Sequence, residues 1–149
     1  MKILILSDSH SQDISSFDFS KYSHIIHAGD YGYSYDTLNN NNIIFVKGNC
    51  DYRGDKELII NLYNKKILIT HGDLYNVKND YYRLLLKAES ESANYVIFGH
   101  THIPSYFVEH DITFINPGAY LDGYYVIIDE EYIKFYRYNL VIKEIKRKW

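Results

Sequence analysis

The sequence predicts an α/β fold, a layered sandwich of two mixed β-sheets flanked by helices. Three observations predict it: early Ile-, Leu- and Val-rich runs that stop abruptly at polar or glycine residues, a later series of alternating Tyr-rich runs, and one well-marked amphipathic segment between them. A length of 149 residues suits a single domain over 1–149, without room for a linker and a second module.

The elements follow in order. Lys2–Ser7, Ser23–His27 and Ile43–Val46 are apolar without alternation, as parallel strands covered on both faces are. The four Asn of Asn39–Asn42 read as a turn before the third strand. Glu57–Tyr63 and Lys65–Thr70 flank Asn64 and predict a hairpin. Asp80–Glu89 places Tyr81, Leu84, Leu85 and Ala88 at helical spacing. Tyr95–Phe98 returns as a buried strand. Ser105–Glu109, Ile112–Ile115, Tyr124–Ile128 and Tyr132–Tyr138 then alternate, so the second half is mainly antiparallel. The segment from Lys143 to Trp149, with Lys143, Lys146, Arg147 and Lys148, reads as a solvated charged end.

Composition narrows the function classes. Hydrophobic residues make up 46% and charged residues 23%, enough for a sizeable core and unlike a disordered chain. Sixteen Lys and Arg against 19 Asp and Glu give a net charge of −3, which disfavours a nucleic-acid partner gripped through its phosphates. The 17 Tyr suit strands that are apolar on one side and wet on the other, and leave a homo-oligomer open. Cys50 is the only cysteine, so no intrachain disulfide asks for an oxidising compartment. Ile3–Leu6 is shorter than the ~7–15 residues of a signal-peptide core. No run reaches the ~18 apolar residues of a membrane span. A cytoplasmic protein without a membrane partner is expected.

The chemistry gathers at strand ends. Ile3–Leu6 leads into Asp8-Ser9-His10, Ile25–His27 into Gly29-Asp30, Ile43–Val46 into Gly48-Asn49, Ile67–Thr70 into His71-Gly72-Asp73, and Tyr95–Phe98 into Gly99-His100-Thr101-His102. Taken alone, each has a plain reading: Asp8 and His10 as turn formers, Gly29-Asp30 and Gly48-Asn49 as turns, and His71 as a core histidine. His100 and His102 are two apart, so in an extended segment both imidazoles face one way. Carboxyl ends of strands in open α/β sheets gather in one crevice. Five successive ends carrying mixed nitrogen and oxygen ligands are not what independent turns produce.

In this ordered set the sequence resembles the calcineurin-like metallophosphoesterases, with their Asp-x-His, Gly-Asp, Gly-Asn, lone His and Gly-His-x-His motifs, from Asp8 to His102. The short length, Gly48-Asn49-Cys50-Asp51, His71-Gly72-Asp73 and Asn116-Pro117-Gly118 resemble the small YfcE-type phosphodiesterase branch. The resemblance implies two divalent transition-metal ions, one on Asp8, His10, Asp30 and His102 and the other on Asp30, Asn49, His71 and His100, with Asp30 bridging. It implies hydrolysis of small phosphodiesters by a hydroxide held between those ions, with Asp30, Asn49 and His100 in the catalytic set. His with carboxylate suits Mn²⁺, the first expectation, or Ni²⁺, Fe²⁺, Co²⁺ or Zn²⁺ better than Ca²⁺ or Mg²⁺.

The departure is Cys50, where many superfamily members carry a His thought to protonate the leaving group. Cys50 reads as a packing residue, and diesters with good leaving groups should be favoured. Ser7 and Ser9 read as loop formers, not nucleophiles. Asp51 reads either as a carboxylate that orients an imidazole or as a turn residue, and Arg53 as an exposed arginine or a phosphate contact. Gly118 and Ala119 offer backbone N–H groups near the crevice, unless Asn116-Pro117-Gly118 is a plain turn. His24, His27 and His110 are assigned no metal. Two other functions compete. A retromer-subunit-like scaffold shares the architecture but loses ligand histidines, and a single-strand nuclease would use tyrosines to stack bases.

Overall fold

A computed structural model describes residues 1–148. Eleven strands occur among them: β1 Ile3–Leu6, β2 His24–His27, β3 Ile44–Phe45, β4 Glu57–Leu62, β5 Lys65–Thr70, β6 Tyr95–Ile97, β7 Ser105–Glu109, β8 Ile112–Asn116, β9 Tyr124–Ile128, β10 Tyr132–Arg137 and β11 Leu140–Lys146. The α-helices are α1, Tyr35–Asn40, and α2, Tyr82–Ser90.

The first sheet runs β11-β10-β9-β1-β2-β3 and the second β4-β5-β6-β8-β7. β1, β2 and β3 pair in parallel, as do β5, β6 and β8; the flanking strands are antiparallel. This mixed pattern is the one expected from the sequence. β1 shows why its run is continuously apolar. Ile3 and Ile5 join the core between the sheets with Ile26, Ile69, Ile97 and Ile115, while Leu4 and Leu6 face the outer layer with Ile14, Leu38 and Tyr125. Both faces are covered, so alternation disappears. On the far side α2 lays Leu84 and Ala88 on Leu68, Val96 and Phe114.

Three hairpins close the same way. Tyr63-Asn64, His110-Asp111 and Tyr138-Asn139 are two-residue loops with both residues at positive φ, between 48° and 67°. That conformation matches the right-handed twist of the flanking strands.

Two expectations are corrected. Asn39 and Asn40 belong to the last turn of α1, with the turn itself at Asn41-Asn42. The charged end is largely strand: β11 pairs with β10, and Arg147 donates its backbone N–H to the Glu131 carbonyl. Trp149 lies outside the described residues. No helix among them is long and apolar enough to cross a membrane.

Candidate metal centre

The carboxyl ends of β1, β2, β5 and β6, with the loop after β3, meet at one edge of the two sheets, and backbone hydrogen bonds lace them together. Asp8 and His10 donate N–H to the carbonyls of Gly29 and Asp30, each at 2.9 Å, and Gly99 donates to His71 at 3.0 Å. Asp8, His10, Asp30, His100 and His102 all hold positive φ, from 47° to 71°. For a residue with a Cβ this left-handed region costs about 1–3 kcal/mol and persists where the surroundings over-determine it.

Glycine lies where ligand side chains pass closest to backbone. A Cβ on Gly48 would stand 2.1 Å from Asp30 Oδ1, and one on Gly99 2.5 Å from Asp8 Oδ2.

The two aspartates are held with an oxygen to spare. Asp8 Oδ2 accepts from Ser7 Oγ at 2.6 Å and from the His100 backbone N–H at 3.0 Å. Asp8 Oδ1 is buried without a hydrogen-bond partner, and lies 3.2 Å from His102 Nε2, 3.6 Å from His71 Nε2 and 3.9 Å from His10 Nε2. Asp30 Oδ1 accepts from the Cys50 N–H at 2.9 Å, leaving Oδ2 at 3.2 Å from His71 Nε2 and 3.8 Å from His10 Nε2.

The imidazoles are oriented as ligands need to be. His71 Nδ1 is 2.8 Å from the Ala28 carbonyl, so Nδ1 carries the proton and donates, and Nε2 turns inward. His71 Nε2 is buried and makes no well-formed hydrogen bond. His10 and His102 bring their Nε2 atoms to 3.4 Å. Two orphaned buried atoms, Asp8 Oδ1 and His71 Nε2, aimed at the same point are what a cation would satisfy. The donor set fits a divalent transition metal.

Proton equilibria show the same crowding. Burial alone would depress His71, but the Asp30 carboxylate beside it and the charge of Asp8 prevail and raise it to about 8. Burial would raise Asp30, but His71 and the Cys50 N–H bring it down to about 2. His100 is lowered by burial and by the neighbouring His71.

The ligand atoms of Asp8, His10 and His102 lie within 4.8 Å of one another, as do those of Asp8, Asp30 and His71. A profile of the calcineurin-like phosphoesterase superfamily domain matches residues 1–125. The chain belongs to this superfamily. It is 35% identical to the probable metallophosphoesterase YsnB of Bacillus subtilis over 126 residues, spanning 80% of this chain and 75% of that protein. The crystal structure of a conserved Streptococcus pneumoniae protein described as a predicted phosphoesterase superposes with a TM-score of 0.82 at 29% identity, covering 98% and 97% of the two chains. Escherichia coli YfcE, described as a phosphoesterase, shares the fold at a TM-score of 0.70 and 19% identity, over 98% and 99% of the two chains.

His100 is half-buried with its ring 5.1 Å from that of His71. Asn49 is exposed, its amide 3.6 Å from Cys50 Sγ. Cys50 is not a packing residue: it is exposed, and its thiol falls within 4.8 Å of ligand atoms of His10 and Asp30. Partial desolvation, then Asp30, raises its pKa and keeps it a thiol.

Asp51 is no imidazole orienter. Its carboxylate accepts backbone N–H groups from Asp30 and Gly48, both at 2.7 Å, and Tyr31 at 3.1 Å, tying the β2 and β3 loops together. Arg53 is exposed with its guanidinium 4.0 Å from the centre of the Tyr35 ring. The N–H groups at Gly118 and Ala119 are spent, on Asn116 Oδ1 and the His102 carbonyl. Buried Asn116 also donates to the Gly99 carbonyl and Thr101 Oγ1, bracing the segment that carries His100 and His102.

His27 is the residue sequence reasoning left out. It is fully buried, its Nδ1 accepts from the Gly29 N–H at 3.1 Å, and its Nε2 lies 2.8 Å from Ser9 Oγ. Burial, reinforced by the charge of His71, lowers its pKa to about 3, so it stays neutral and fastens the β1 and β2 loops. A His at the end of a buried strand, two residues before Gly, was the available signal.

Proposed function

We propose that the chain is a metal-dependent phosphodiesterase acting on small phosphodiesters. The observation that carries the reading is a pair of buried atoms that make no hydrogen bond, Asp8 Oδ1 and His71 Nε2, 3.6 Å apart. Asp8, His10, Asp30 and His102 would hold one divalent cation and Asp30, Asn49, His71 and His100 a second. The mixture of imidazole nitrogens and carboxylate oxygens suits Mn²⁺, our first candidate, or Ni²⁺, Fe²⁺, Co²⁺ or Zn²⁺ better than Ca²⁺ or Mg²⁺. When bound, such cations lower the pKa of coordinated water and polarise phosphoryl oxygens.

The chain's own groups do the positioning. Ser7 and the His100 N–H hold the Asp8 carboxylate, the Cys50 N–H holds Asp30, and the Ala28 carbonyl fixes the His71 tautomer. Ser7 Oγ and Ser9 Oγ are buried and committed to Asp8 and His27, which speaks against a covalent phosphoserine step. A scaffold role on this architecture loses ligand histidines. Here four, His10, His71, His100 and His102, stand at or beside the cluster.

The test is turnover of bis-p-nitrophenyl phosphate before chelation, after it, and after Mn²⁺ return, alongside metal analysis. Activity should vanish and come back, and Asp30→Asn should hold less metal and turn over little. Hydrolysis that survives chelation, or an Asp30→Asn variant equal to the parent, would defeat the proposal.

A further inference from the structure

Beside the cluster lies a cavity of about 480 Å³ whose walls come from the β1, β2 and β3 loops. Its lining includes His10 and Cys50, whose side chains also face the metal cluster, so anything bound to the cluster has a direct path into it. Two tyrosines in that lining, Tyr33 and Tyr52, are 97% and 96% exposed, whereas no other large hydrophobic side chain among the described residues exceeds 72%. Both rings present free π faces. Arg53, also in the lining, holds its guanidinium carbon 4.0 Å from the centre of the Tyr35 ring, which sets a cation on the same wall.

The loop backbones beneath these rings are braced. Tyr31 donates its hydroxyl to the Arg53 carbonyl at 2.5 Å, and Asp51 clasps the backbone of both loops. Because the Asp51 oxygens are occupied by three N–H groups, a negative charge in the lining is already committed.

From these observations we infer that the cavity seats a nucleobase, so that the diesters taken by this site carry a nucleoside on one arm. The inference rests on the phosphodiesterase reading and names its substrate class. A flat heterocycle is matched by bare tyrosine faces and a guanidinium, the kinds of surface on which single-strand binders stack bases. An aliphatic arm would gain little from walls tipped with hydroxyls and a cation. The net charge of −3, with Arg53 as the one Lys or Arg in the lining, favours one nucleotide unit over a polymer, whose further phosphates would need more cations beside the cavity.

The experiment compares AMP with ribose 5-phosphate as competitive inhibitors of methyl p-nitrophenyl phosphate hydrolysis in the Mn²⁺-loaded protein. The two share phosphate and sugar and differ in the base. AMP should bind about tenfold or more tightly, and the double variant Tyr33→Ala/Tyr52→Ala should erase the difference while leaving ribose 5-phosphate unchanged. Saturation-transfer NMR on the metal-free chain should show the adenine protons in contact with the protein, and lose that contact in the variant. Equal inhibition by the two compounds, an advantage that survives the double variant, or silent adenine protons would overturn the inference. Absence of any turnover with Mn²⁺ would sink the phosphodiesterase reading instead, and the NMR would still judge the cavity.

Discussion

Replacing Gly48 by Ala tests whether the site depends on carboxylates pressed against bare backbone. The new Cβ would sit 2.1 Å from Asp30 Oδ1 and 2.7 Å from Asp30 Cγ, where ordinary contact begins at 3.4 Å. The carboxylate must therefore retreat by about 1.3 Å, since the other near atom is the Asp30 backbone nitrogen, also at 2.7 Å. Retreat breaks the 2.9 Å bond from the Cys50 N–H and carries Oδ2 away from His71. Overpacking of this kind costs about 1–3 kcal/mol of stability. A misplacement near 1 Å in a positioned group costs on the order of 10²-fold in rate. The assay is bis-p-nitrophenyl phosphate turnover with metal stoichiometry, with urea unfolding to separate stability from function. Gly123→Ala is the control: its φ of 87° and its contact with Tyr138 make it destabilising at a place distant in sequence from every proposed ligand. A Gly48→Ala protein with parental turnover and full metal content would refute the reasoning.

Three further outcomes follow from the same geometry. In the metal-free chain His71 is raised to about 8 from an ordinary 6.5, so its stabilising contribution is complete below pH 6.5 and lost as pH rises through 8, about 2 kcal/mol in all; buried His27, held neutral at about 3, opposes it by about 1 kcal/mol at pH 6, so urea melts should favour pH 6 over pH 9 by about 1 kcal/mol, and greater stability at pH 9 would contradict it. His102 holds φ 64°, so metal-free His102→Gly should be more stable than His102→Ala by about 1 kcal/mol, and the reverse order in chemical denaturation would remove the claim of strain. Cys50→His should narrow the preference for p-nitrophenyl over alkyl leaving groups by about 10²-fold, and an unchanged ratio of kcat/KM values would show that no general acid is wanted there.

Much of the fold was legible because local signals agreed with long-range ones. The parallel strands β1 to β3 are apolar on both faces because both faces are covered, and the helix over α2 shows a clear apolar stripe. β11 was not legible. Leu140, Val141 and Ile142 are consecutive and all exposed, so they lack the alternation of a half-buried strand, and the Lys and Glu that follow look like a solvated tail. Only Asn139, in a Tyr-Asn turn with no glycine, hinted at a hairpin. In the site, the motif residues were legible as types at strand ends. The role of Asp51 was not, because nothing in the order of residues says that its carboxylate clasps the backbones of Asp30, Tyr31 and Gly48. Cys50 was misread for the opposite reason: cysteine is usually buried, and only the loop geometry turns this one outward.

These failures have a common cause in how the centre is built. Its accuracy comes from backbone, not from side-chain packing: five of the proposed ligands stand in left-handed conformations, and glycines leave room under both aspartates. Such turns are unfavourable one by one, so sequence propensity argues against each of them. They are stable together because each loop end is hydrogen-bonded to the next, β1 to β2 through Asp8 and His10, β2 to β3 through Asp51, and β5 to β6 through Gly99. An arrangement of this sort is cooperative. Loosening one turn should release its neighbours, so substitutions at Asp51, His27 and Asn116, none of which is a proposed ligand, should reduce metal content along with activity.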